Sequence, residues 1–89
     1  MSAHFVRHPD LRLTAVDGEG VVLHLGSRQY FSVNETGVTV LEQLRSARTM
    51  AELVGAVTDE YDVTTEEAER TVRAFLDRCL EASLVTEAR

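Results

Sequence analysis

At Asn34 the apolar periodicity of this 89-residue chain changes from two to nearly four, and that switch constrains the fold more than any other feature. Upstream, Leu11-Arg-Leu-Thr-Ala-Val16 alternates, with Leu11, Leu13 and Ala15 on one face. Asp17-Gly18-Glu19-Gly20 reads as a turn, because Asp-Gly tolerates positive φ. Val21-Val-Leu-His-Leu25 follows, and Gly26-Ser27 is a second tight-turn signal. Arg28-Gln-Tyr-Phe-Ser-Val33 is the third strand, with Phe31 and Val33 on one face and Tyr30 and Ser32 on the other. Two short connections predict a three-stranded antiparallel meander. Its expected inward set is Leu11, Leu13, Ala15, Val21, Leu23, Leu25, Phe31 and Val33.

Downstream the pattern predicts three helices. Asn34 is a good N-cap, with Glu35 near the positive end of the helix dipole. Val38, Leu41 and Leu44 repeat at helical spacing, and Arg45-Ser-Ala-Arg48 closes that helix. Thr49-Met-Ala-Glu52 is a capping box opening the second helix, whose apolar stripe is Met50, Leu53, Val54, Val57 and Tyr61. Thr64-Thr-Glu-Glu67 reads as another box. The third helix carries Ala68, Val72, Phe75, Leu76, Cys79 and Leu80 as its apolar face and frays near Ala82-Ser83, after which Leu84-Val85 pins the tail to the core. The termini, Met1 to Asp10 and Thr86 to Arg89, are expected to be loosely held. The fold class is α+β, a three-stranded antiparallel sheet followed by three helices, with the helices as a helix-turn-helix-like cluster and the sheet as a wing.

At this length the chain is read as one domain with one modest core. Its net charge is -6 and all nine basic residues are Arg, scattered along the chain, which disfavours phosphate-backbone binding. No apolar run approaches the roughly 20 residues of a membrane span, and the N-terminus lacks a signal-peptide core. The lone Cys79 cannot pair internally, which fits a reducing compartment. The expectation is a cytoplasmic protein with neither membrane nor nucleic-acid partner.

Catalytic chemistry finds little support. Cys79 sits on an apolar stripe, where a thiol behaves as a small hydrophobe, and no His is near it in sequence. His4 and His8 have i, i+4 spacing, but Pro9 follows and no further ligand clusters there; they read as a solvated tail, and His24 as a surface residue on the outer sheet face. Asp59-Glu60, Glu66-Glu67 and Glu69 fall at helix ends and solvated faces. The glycines match neither a P-loop nor a dinucleotide fingerprint. No enzymatic activity, cofactor or metal is expected.

Binding is better supported. The third strand is an edge of the meander, carries one charge at its start, no Pro, and two aromatics at its centre. Such an edge suits β-augmentation by an incoming peptide, with the third helix completing a groove. Equally, Tyr30 and Phe31 are read as ordinary core and near-core aromatics. Residue types alone leave both readings open.

The stretch Tyr30-Phe-Ser-Val-Asn-Glu-Thr-Gly37 resembles the Tyr-Phe-x-(Leu/Val)-Asn-x-Thr-Gly signature of PqqD-like proteins, the recognition elements of ribosomally made, modified peptides. Val22 to Leu25, Leu41-Glu-Gln-Leu44, Arg48-Thr-Met-Ala-Glu-Leu53, Tyr61-Asp-Val63, Phe75-Leu76 and Leu84-Val85 are similar to further family segments, so the likeness covers residues 11 to 85. Ser83 departs from a Gly common near the end of the last helix, which puts the cap geometry in question.

The resemblance implies a single peptide-binding domain over residues 1–89, ordered from about 10 to 85, of winged helix-turn-helix-like fold. It implies a non-catalytic protein that binds the leader segment of a precursor peptide between the third strand and the last helix. By position, backbone groups of Gln29, Tyr30, Phe31 and Ser32 would pair with the leader. Phe31, Val33, Val72 and Leu76 would line apolar pockets, and Arg28, Glu69 and Arg73 would set register by charge. Tyr30 and Val22, on the outer sheet face, would meet a partner enzyme.

The Pro-Glu-Gly segment usual in the pyrroloquinoline-quinone branch is absent, so the chain looks more like the discrete leader-binding half of a split lasso-peptide leader peptidase. That implies a separate cysteine protease as partner, a lactam-forming synthetase as a further one, and a leader anchored by a Tyr and a Pro. The alternatives are a PqqD-like chaperone delivering a precursor to a radical-SAM or other modifying enzyme, and a winged-helix DNA-binding regulator.

Overall fold

The computed structural model of the chain describes residues 3–88, so Met1, Ser2 and Arg89 lie outside the described residues. Strands β2 (Leu11–Val16), β3 (Glu19–His24) and β4 (Gln29–Val33) form the expected antiparallel meander in the order β2-β3-β4. Three helices follow, α1 (Glu35–Gln43), α2 (Met50–Glu60) and α3 (Thr65–Glu81). The α+β class is therefore as the sequence predicts.

The first turn fixes which residues face inward. It contains only Asp17 and Gly18, both at positive φ (52° and 81°), so Val16 pairs with Glu19. Two central residues at positive φ are the signature of a type I′ hairpin, whose twist matches that of the strands. An even-numbered loop sets odd residues of β2 opposite even residues of β3: Leu11 faces His24, Leu13 faces Val22, and Ala15 faces Gly20. The expected inward set is thus wrong for the middle strand. Val22 is fully buried and His24 is buried, whereas Val21 and Leu25 are exposed. Ala15 is exposed as well, near the hairpin end. Val21-Val-Leu-His-Leu25 is apolar on both faces, so alternation could not choose between them; loop parity did. Val22 consequently cannot serve the outer face.

Each helix starts at its predicted cap. Asn34 Oδ1 accepts the Gly37 N–H at 2.9 Å. Thr49 and Glu52 form the reciprocal box, with the Thr49 N–H donating to Glu52 Oε1 at 2.9 Å and the Glu52 N–H to Thr49 Oγ1 at 3.2 Å. At α3 only half of the second box forms. Thr64 Oγ1 accepts the Glu67 N–H, while the Glu67 carboxylate takes the Thr64 hydroxyl rather than the cap N–H. The C-terminus of α3 is a Schellman closure: the Leu84 N–H donates to Cys79 O (2.8 Å) and the Ser83 N–H to Leu80 O (3.2 Å). Ser83 takes the left-handed conformation (φ 60°) that glycine usually fills, so the cap geometry survives the substitution.

The described terminal residues are not loose. His4–Arg7 forms strand β1, the centre of a second sheet in the order β5-β1-β6, with β5 at Arg48–Thr49 and β6 at Val85–Ala88. The Arg7 N–H donates to Leu44 O and the His8 N–H to Leu84 O, tying this strand to the end of α1 and to the segment after α3. Its signal was hidden because four residues before a Pro carry no readable alternation, and the pairing partners lie about 80 residues away.

The core joins Val22 from the sheet to Leu41, Leu44, Leu53, Val72 and Leu76 from the helices. Val85 closes it from the terminal strand. The helix stripes hold apart from Leu80, which is 37% exposed.

Candidate functional site

β4 is an edge strand: among the described residues it pairs only with β3. Which of its backbone groups are free follows from the hairpin. The Val16–Glu19 pair closing a two-residue turn is hydrogen-bonded, and bonded pairs alternate along an antiparallel ladder. Glu19, Val21 and Leu23 therefore bond to β2, and Gly20, Val22 and His24 bond to β4 opposite Val33, Phe31 and Gln29. The N–H and C=O groups of Tyr30 and Ser32 point outward from the edge. Arg28 is not part of this strand. It occupies the preceding turn at φ 59°, its N–H donating to His24 O at 2.7 Å.

Between β4 and the C-terminal half of α3 lies an open groove of about 720 Å³. Phe31 and Val33 line it from the strand, and Phe75, Cys79 and Ala82 from the helix, with Leu84 below. The helical contribution follows i, i+4, i+7 spacing, so one face of α3 supplies it. Arg78 and Glu81 bring one cation and one anion to the lining. Gly37 lets α3 come close: a Cβ there would sit 2.9 Å from Phe75 Cε1 and 3.2 Å from Val33 Cβ. The Gly of the Asn-x-Thr-Gly segment thus has a packing reason.

The helix residues expected at this groove are elsewhere. Val72 and Leu76 are almost fully buried in the core and do not line the groove. Glu69 and Arg73 line a second cavity, on another face of α3, with Phe5, Met50, Val54 and Glu87. They form an exposed i, i+4 ion pair at 3.8 Å, worth little in stability. The strand residues Phe31, Ser32 and Val33 do meet in the groove, whereas Gln29 and Tyr30 lie outside its lining. Phe75 and Cys79 were legible as apolar stripe, but periodicity does not say which edge of a wide stripe meets the sheet. The close-packing Gly37 is the signal that points to Phe75.

Cys79 offers no nucleophile. It is 2% exposed, and burial pushes its thiol up to about 11, against a weaker opposing pull from Arg78. It is protonated at neutral pH. His24 is not a surface residue: it is buried, its Nδ1 accepts the Ser27 N–H at 3.2 Å, and its ring lies 4.6 Å from that of His8. Its Nε2 has no partner among the described residues. His8, expected in a loose tail, instead accepts the Asp10 N–H on Nδ1. No group of three or more metal-type ligands occurs among the described residues, and no described helix is long and apolar enough to cross a membrane.

Residues 19–85 match the family described as PqqD, Coenzyme PQQ synthesis protein D. The chain belongs to the PqqD family. Two solved structures share the fold of this PqqD-family chain. One is TbiB1 in complex with the TbiA(β) leader peptide, 28% identical, with a TM-score of 0.79 over 90% of this chain and 93% of that one. The other is lasso peptide synthetase B1 complexed with the leader peptide, 24% identical, with a TM-score of 0.76 over 92% of this chain and 96% of that one. No curated protein matches the chain.

Proposed function

We propose that this PqqD-family chain binds the leader segment of a ribosomally made precursor peptide by strand addition to β4. It then presents that peptide to a separate leader peptidase in lasso-peptide biosynthesis. The observation that carries the reading is the unpaired β4 edge, with Tyr30 and Ser32 offering backbone groups beside an apolar groove. The fold likeness to TbiB1, solved with a leader peptide, supports it. Backbone pairing supplies affinity without regard to sequence; Phe31, Val33 and Phe75 supply selectivity for apolar anchors. Arg78 and Glu81 set register by charge, the role expected of Arg28, Glu69 and Arg73.

The domain acts by holding its guest. A buried, protonated Cys79 and an edge strand suit a carrier better than a hydrolase. Helices α2 and α3 with the meander as a wing fit a winged helix-turn-helix-like arrangement, and the net charge of -6 turns that arrangement away from DNA.

Calorimetry tests the reading. The probe is a synthetic peptide of about twenty residues from the leader segment of a lasso-peptide precursor identified in the same genome. A dissociation constant of about 1 μM or tighter is expected, near -8 kcal/mol. Phe31→Ala, checked for folding by circular dichroism, should weaken binding about tenfold. Unchanged affinity in that folded variant overturns the groove. Adding a lasso leader peptidase identified in the same genome should speed leader removal only when the β4 edge is intact; equal rates with and without this chain overturn presentation.

A further inference from the structure

A guest strand on β4 has two faces, and only one of them meets the groove. Cross-strand partners in a sheet point to the same side. The guest residue opposite Phe31 therefore shares the groove side, and those opposite Tyr30 and Ser32 share the outer side. On that outer side a row of side chains crosses all three strands: Arg12 is paired with Leu23, and Leu23 with Tyr30. Tyr30 stands at the open end of the row and is 71% exposed. The same face carries exposed Val16 and Val21. No strand of the described chain lies beyond Tyr30 across the sheet, because β4 is the last one. A guest strand would give it a neighbour there, in a pair whose backbone groups bond directly.

We propose that Tyr30 is a specificity-determining residue on the outer sheet face, selecting an aromatic or β-branched side chain at the guest position opposite it. This rests on the strand-addition reading above and deepens it. The site then reads the peptide on both sides, by the groove at one position and by Tyr30 at the next. Adjacent residues of the guest carry the two signals, since successive side chains of a strand point to opposite faces. Aromatic pairs with aromatic or β-branched residues across strands are among the favourable ones, corresponding to about two- to five-fold in affinity.

A phage-displayed library of randomised twelve-residue peptides, panned on the wild-type chain, Tyr30→Ser, Tyr30→Phe and Phe31→Ala, tests this. Tyr30 is exposed, so its variants should keep the fold, verified by circular dichroism. The wild type should enrich an apolar groove position next to an aromatic or β-branched outer position. Tyr30→Ser should lose the outer preference alone, and Tyr30→Phe should keep it. By fluorescence anisotropy, the enriched peptide should bind Tyr30→Ser about two- to five-fold more weakly than wild type. A version with Ser at the outer position should bind both equally. If Tyr30→Ser keeps the outer preference, the inference falls and strand addition stands. If no peptide is enriched, strand addition falls and the inference with it; if Phe31→Ala selects the same peptides as wild type, the groove half of the two-sided reading falls.

Discussion

The two sheets of this chain end in edges of opposite character. β4 offers five residues from Gln29 to Val33 with no charge among them, and an apolar groove runs alongside. At the other sheet, β5 is two residues long, and its Arg48 is held by Gln43 O and by Glu52 before the chain turns into α2. The outer strand β6 carries Glu87. Short length and charge are the usual means of keeping an edge from pairing. The terminal sheet uses both and closes the fold; the meander uses neither at β4. Since α3 borders a cavity on each side, the difference lies in the strands rather than in the helix.

That contrast can be broken most sharply at Leu76. If it belongs to the core rather than to the groove, Leu76→Ala should cost about 2–5 kcal/mol in urea unfolding, with little change in peptide affinity per folded molecule. A loss of affinity at unchanged stability would return it to the groove. Next in size is amide exchange measured by NMR. Tyr30 and Ser32 should exchange freely in the unbound chain, and Phe31 and Val33 slowly. At a peptide concentration 100 times Kd, the first two should slow by about 100-fold. The amides of β6 should not respond. Equal protection of all four in the unbound chain would mean that the edge is not open.

Gly37→Ala comes third. Its Cβ would press on Phe75 and Val33, both in the groove lining, so a loss of about 1–3 kcal/mol is expected despite better helix propensity. Peptide affinity should weaken with it. The smallest effect belongs to the closed sheet. Thr49→Ala removes the capping box of α2 and should lower stability by about 1 kcal/mol in the same urea assay, with peptide binding intact. A binding defect there would show that the two sides of α3 are coupled.

Much of this was readable in the residues. Asp17-Gly18, the caps at Asn34, Thr49 and Thr64, and the stripes of α1 and α2 are local chemistry: each depends on neighbours a few positions away. The bare edge was legible too, because lack of charge and Pro in Gln29 to Val33 is a property of sequence. The helix half of the site was not. Choosing Phe75 and Cys79 over Val72 and Leu76 requires the rotation of α3 and its placement along β4, which are set by what packs around it. The burial of His24 was likewise hidden, since its strand has two apolar faces and only pairing selects one.

For the meander and the three helices, the sequence by itself determined where strands stop and helices begin, and which edge strand would carry the least charge. These follow from propensity, capping and turn chemistry acting over a handful of residues. Only the tertiary structure decided that His4–Arg7 joins Val85–Ala88 and that α3 turns Phe75 toward β4. Those outcomes depend on contacts between residues far apart in the chain, and they are settled by which faces bury the most apolar surface together.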